Sequence, residues 1–226
     1  MATMYTEERL QIEGYDSRPV PNLFFGQEEG TTRLAVLLPG YAYTADMPLL
    51  YYTTTLFLEN GYDLLQVQYN YQRQAAFRVP VDEASRQWLL ADVRAAVTQA
   101  LAQGAYESVV VVGRSLGTLA MGDLLETGGL PATTRRVWQS PLFKDQRLSE
   151  QICRHRPRSL FITGTADAHY QSPLREQVRE AVPREWLVLP DARHDLEIAG
   201  SIPRTLAVME EVICATARFT GCAGCD

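Results

Sequence analysis

Residues 108–112 of the chain read SVVVV. The chain then turns through Gly113-Arg114-Ser115-Leu116-Gly117 and runs on through small and apolar residues to Glu126. Four consecutive β-branched side chains suit a strand and crowd a helix. No polar residue alternates with them, so both faces of this strand must be covered. A strand buried on both sides and followed at once by a helix implies a crossover unit. Such units build a parallel sheet with helices on each face.

The same alternation runs along the chain. Apolar strands are predicted at 33–38, 63–69, 136–139, 158–163 and 186–189. Helices are predicted at 48–60, 81–103, 116–126, 146–153, 172–181 and 202–219. Pro48 is tolerated in a first helical turn, and Gly61 and Gly104 stand where helices stop. Leu89, Val93, Ala96, Val97 and Ala100 recur at helical spacing. Two short strands, at 9–13 and 22–25, precede this pattern, separated by a turn with Gly14, Asp16, Ser17 and Pro19. With 226 residues, no internal repeat and no linker, the chain reads as one domain of α/β class. Residues 221–226 read as a flexible tail.

Composition narrows the function classes. Lys and Arg number 21 against 27 Asp and Glu, a net charge of −6, which disfavours a nucleic-acid or anionic-membrane surface. Residues 1–10 carry Glu7, Glu8 and Arg9 with no apolar stretch, unlike a secretory signal. The expectation is a cytoplasmic protein with reduced thiols. Cys222 and Cys225 have metal or redox spacing, but no second pair completes four ligands and no strand-then-helix setting surrounds them. Cys153 and Cys214 stand apart from them, and no metal site is expected.

In a doubly covered parallel sheet, ligands bind at the carboxyl ends of the strands. Candidate residues should therefore follow strands. Ser115 does, in a G-x-S-x-G pentapeptide set between strand and helix, the context of a nucleophile elbow. Gly113 and Gly117 remove Cβ atoms that would collide there. The helix N-terminus behind Ser115 favours developing negative charge.

The GRSLG elbow after SVVVV, with its alternating strands and helices, resembles the α/β-hydrolase superfamily over residues 33–219. Within it, the chain looks most like small, lid-less members related to dienelactone hydrolases and short-chain esterases. Dienelactone hydrolases proper use a Cys nucleophile, so Ser115 places this chain nearer the esterase-like branch. The resemblance implies a mostly parallel central sheet with helices on both faces and no cap domain. Only residues 140–157 separate the strands where larger esterases insert a cap.

A Ser hydroxyl needs a base, and His is the usual one near neutral pH. Of three histidines, His155 precedes a strand and so lies at the opposite end of the sheet. His169 lies just behind Asp167. His194 follows the strand at 186–189 and precedes the last helix, where the superfamily resemblance places the catalytic histidine. Asp167, in a G-x-x-D loop after a strand, matches the superfamily's acid position. Asp145 is the alternative. The order Ser115, Asp167, His194 is that of the superfamily.

The oxyanion donors are expected to be the backbone N–H groups of Leu116 and Tyr41. The loop Pro39-Gly40-Tyr41 resembles the superfamily's His-Gly-x loop with Pro39 in place of His. Tyr43, Arg114 and Arg73 are candidate substrate-binding residues. The resemblance thus implies a serine hydrolase acting on small, accessible carboxylic esters, with no metal or organic cofactor and a small-molecule substrate as partner. Thioester, amide or peptide hydrolysis by the same triad, or a non-catalytic binding role, are the alternatives.

Overall fold

The computed structural model describes residues 4–183 and 185–225. Eight strands form one sheet: β1 (Tyr5–Glu8), β2 (Asn22–Gln27), β3 (Arg33–Leu38), β4 (Asp63–Val67), β5 (Ser108–Arg114), β6 (Arg135–Gln139), β7 (Ser159–Gly164) and β8 (Trp186–Leu189). Their spatial order is β1-β2-β4-β3-β5-β6-β7-β8. β1 and β2 are antiparallel additions at one edge, and all remaining pairs are parallel. Six helices connect them: α1 (Pro48–Glu59), α2 (Glu83–Leu101), α3 (Leu116–Thr127), α4 (Gln146–His155), α5 (Pro173–Ala181) and α6 (Ile202–Thr220).

The alternation of side chains along each strand divides the core in two. Leu34, Val36 and Leu38 of β3 face α2 and α3, together with Val109, Val111, Trp138 and Phe161. Ala35 and Leu37 face α1 and α6, with Val110, Val112, Val137 and Ile162. Each fully buried Val or Leu contributes about 1.5–3 kcal/mol relative to exposure. This two-sided burial is why no polar residue interrupts Val109–Val112. Asp82, Asp145, Ser172 and Ser201 cap α2, α4, α5 and α6 with side-chain oxygens that accept from early backbone N–H groups.

The structure corrects the sequence reading at both termini. The first strand is Tyr5–Glu8, not residues 9–13. Asn22 accounts for the difference: its Oδ1 accepts from the Leu10 N–H and its Nδ2 donates to the Leu10 carbonyl, so this backbone is satisfied without a strand partner. At the other end, Cys225 pairs with Cys214 across a Cα–Cα separation of 5.2 Å, while Cys222 and Cys153 are free thiols. The expected reduced thiols are thus found at Cys153 and Cys222 but not at Cys214 and Cys225. Of residues 221–226, Gly221 ends α6 at φ 77 and Asn60 of the α1 terminus exchanges two hydrogen bonds with the Ala223 backbone, while residue 226 lies outside the described residues. No helix among the described residues is long and apolar enough to cross a membrane. The described residues hold no group of three His, Cys, Asp or Glu suited to a metal.

Candidate active site

Ser115 sits at the turn from β5 to α3 with φ 47 and ψ −109, a conformation that L-residues avoid. Close packing explains the two flanking glycines. A Cβ on Gly113 would strike Met121 Sδ, and one on Gly117 would strike the Leu38 carbonyl of β3. The Ser115 N–H still continues the sheet ladder, donating to Gln139 O at 2.9 Å. Its carbonyl accepts from both the N–H and the hydroxyl of Thr118, at 2.9 and 2.5 Å. The elbow is thus anchored on both sides while Oγ projects outward.

His194 lies on the loop after β8, Asp167 on the loop after β7. The two loops meet because Gly164 has no side chain: a Cβ there would overlap the Ala192 carbonyl. That carbonyl instead accepts from the Ala166 N–H at 3.0 Å. His194 Nε2 is 2.8 Å from Ser115 Oγ, and Nδ1 is 2.7 Å from Asp167 Oδ2. The Asp167 side chain is 1% exposed and the His194 side chain 40%, so the acid is shielded while the imidazole meets solvent. Burial pushes the Asp167 carboxyl up, but the hydrogen bond and charge of His194 and the His169 N–H outweigh it, and the net direction is down. Asp167 is therefore a carboxylate that accepts from His194 Nδ1–H, which leaves Nε2 as the acceptor for the Ser115 hydroxyl.

Gly40 places the loop after β3 against the elbow: a Cβ on it would lie 3.4 Å from Ser115 Cβ. Among the described residues, the Tyr41 and Leu116 N–H groups have no hydrogen-bond partner. The buttress that Pro39 does not supply comes from Tyr69, whose buried hydroxyl donates to the Pro39 carbonyl at 2.7 Å. Nothing in the sequence around Tyr69 points to that contact, because it joins the ends of two strands. Tyr41 stacks on Phe77 at a ring separation of 6.1 Å.

The other candidates fall elsewhere. Asp145 caps α4 and pairs with Arg86 at 2.8 Å. His155 pairs with Glu126 at the far end of α4. His169 is nearer than its sequence position suggests: its ring lies 5.6 Å from that of His194, and its Nδ1 accepts from the Lys144 N–H. Burial lowers its pKa. Arg73 is exposed on a single 3-10 turn, Tyr71–Arg73. Arg114 is not open to a substrate: it is 1% exposed and lies 3.9 Å beneath the Tyr43 ring. Its long side chain follows Val110 and Val112 into the α1/α6 core instead of crossing the elbow. Tyr43 in turn covers Arg114, and its hydroxyl accepts from the Leu49 N–H at 3.1 Å. Over residues 140–158 the chain adds only the ten-residue helix α4, with no cap over Ser115, Asp167 and His194.

No protein-family model matches the sequence, and no curated protein does. Solved structures resemble it over nearly its whole length. An esterase from Pyrococcus furiosus aligns with TM-score 0.68 at 15% identity, covering 96% of this chain and 91% of its own. A dienelactone hydrolase from Anabaena variabilis gives 0.67 at 14%, covering 96% and 99%. A Xanthomonas campestris protein described as an α/β serine hydrolase without a lid gives 0.65 at 14%, covering 99% of each chain.

Proposed function

For a chain with the α/β-hydrolase fold, carrying this constellation at the carboxyl ends of its strands, we propose a serine hydrolase that cleaves small carboxylic esters. The observation that carries the reading is the continuous chain Asp167–His194–Ser115, with links of 2.7 and 2.8 Å. Fold alone does not choose a chemistry; the site does.

His194 Nε2 takes the Ser115 proton as Oγ attacks the ester carbonyl. Asp167 holds the imidazole in the required tautomer and stabilises its positive form. The tetrahedral oxygen turns toward the Leu116 N–H at the N-terminus of α3 and the Tyr41 N–H on the loop after β3. His194 then hands its proton to the leaving alkoxide. Water, deprotonated by the same nitrogen, releases the acid and restores Ser115.

The short connection after β6 supports small or accessible substrates, since no cap closes over the site. The similar esterase and dienelactone hydrolase structures are consistent with ester chemistry. The intact hydrogen-bond chain argues against a purely binding role. Purified protein is expected to hydrolyse short p-nitrophenyl esters faster than the matched thioester or amide, and to be labelled by a fluorophosphonate. Turnover that persists in Ser115→Ala would overturn the mechanism.

A further inference from the structure

We propose that Arg114 is a positioning residue, whose buried guanidinium holds the His194 loop so that the imidazole reaches Ser115. This rests on the hydrolase reading above. Arg114 stands directly before Ser115 on the elbow. Its Nη2 donates to the His194 backbone carbonyl at 3.2 Å, and its guanidinium lies against the ring of Tyr43 from the loop after β3. One side chain therefore joins the nucleophile, histidine and oxyanion loops.

The fold gains little else from it. Among the described residues no carboxylate lies within ion-pair distance of Arg114, and Nε and Nη1 have no partner. Its neighbour across the sheet is Gln139, opposite it in register, whose amide is also buried without a partner. Burial drives the Arg114 pKa down to about 10, against the nearby Tyr43, Asp195 and Asp167. A buried cation without a counter-ion is costly, and an apolar residue of similar length packs such a place at least as well. Val110 and Val112 already do so on the same face of β5. A stability role does not explain the choice of Arg.

The histidine loop supplies the reason. It is backbone-strained, with Asp191 at φ 61 and Leu196 at φ 60 on either side of His194. The Ala192–Ile198 bridge closes its base, and the Arg114 contact is made at His194 itself. Tyr43 keeps water from the guanidinium, which strengthens that bond.

The test compares Arg114→Met and Arg114→Lys with the native chain, reading Tm, kcat and KM per fluorophosphonate-titrated site. The deshielded proton of the His194 Nδ1–H···Asp167 bond is followed by NMR. In Arg114→Met, Tm is expected to stay or rise while kcat falls roughly 10–100-fold, the scale of a misplaced catalytic group. KM changes less than about twofold, since the contact does not touch substrate. The NMR signal weakens and exchanges faster. Arg114→Lys keeps a donor but cannot stack flat on Tyr43, and it falls between the two. A lower Tm with unchanged kcat and NMR signal in both variants overturns the proposal in favour of packing alone. If the native protein turns over no ester, the hydrolase reading fails separately, and the NMR comparison still decides whether Arg114 holds His194.

Discussion

Two serines follow adjacent strands of this sheet with nearly the same positive φ. Ser115 closes β5 at φ 47 and Ser140 follows β6 at φ 46. The strands lie in register, Arg114 opposite Gln139. Each serine N–H donates to the next strand at 2.9 Å, Ser115 to Gln139 and Ser140 to Ile162. After that they differ. Gly117 lets α3 begin at once beside β3, and Ser115 Oγ projects to His194. Ser140 is followed by Pro141 and a turn, and α4 starts only at Gln146, after its cap Asp145. Its hydroxyl is fully buried and has no partner among the described residues. A strained serine at a strand end is thus not by itself a nucleophile. Ser115 has an imidazole at 2.8 Å, solvent access and two unpartnered amides beside it, and the proposed nucleophilic role rests on these.

The largest expected effect separates the two serines directly. Ser115→Ala should lower kcat by about 10⁶, the scale of losing a triad serine. Ser140→Ala should leave it unchanged. Comparable losses in a p-nitrophenyl ester assay would break the contrast. Next comes the base. Asp167→Asn removes the acceptor that fixes the His194 tautomer, and kcat should fall about 10⁴-fold with the fold intact. Circular dichroism and kinetics on the same sample check both halves.

Smaller effects concern stability. Gly117→Ala places a methyl group against the Leu38 carbonyl, which belongs to backbone and cannot swing aside. Overpacking of this kind costs about 1–3 kcal/mol, read as a lower urea midpoint. A wild-type midpoint at the Gly117→Ala level would show that the elbow does not need the close approach. The pH dependence follows from Asp167. Its folded pKa is depressed, because the bonds from His194 and His169 outweigh burial. The stability it contributes is present above the unfolded carboxylate value of about 3.9 and is lost as pH falls through the folded value. The difference in urea midpoint between wild type and Asp167→Asn should therefore shrink below about pH 4. A difference that grows on acidification would reverse the sign.

Much of the elbow is legible in the sequence because one pentapeptide encodes both the turn and the room it needs. His194 and Asp167 follow strands, but so do His169 and Asp145; the superfamily resemblance selects the first pair, and the structure brings their side chains to Ser115. Other features depend on contacts between distant segments. Cys214 and Cys225 are joined across the end of α6, while the nearer spacing of Cys222 and Cys225 suggests a different pair. β1 reads Tyr-Thr-Glu-Glu and is exposed throughout, so no burial pattern marks it as a strand. Arg114 misleads because arginine is mostly an exposed residue, and only the Tyr43 ring and the His194 carbonyl make its burial sensible. Tyr69, on the loop after β4, reaches Pro39 on the loop after β3, a contact no local pattern carries.

The finest test of the comparison is Ser140→Gly. Glycine adopts positive φ without a Cβ penalty, so the strain at φ 46 is released. The substitution also deletes a buried hydroxyl that has no partner, which removes a desolvation cost. Against these stands the greater freedom of glycine in the unfolded chain, worth about 0.5–1 kcal/mol. Strain of about 1–3 kcal/mol outweighs it, so Ser140→Gly should stabilise the fold by about 1 kcal/mol. At this chain length that is a Tm rise of about 2–4 °C, with kcat unchanged. Ser115→Gly likewise puts glycine at a positive φ and should raise Tm, but it abolishes turnover. Equal gains in Tm with opposite effects on activity would show that both serines store backbone strain and that only one of them puts it to use. If Ser140→Gly instead lowers Tm, its conformation is not costly, and strain at Ser115 must be explained by the elbow's own contacts with Gly113, Gly117 and Thr118.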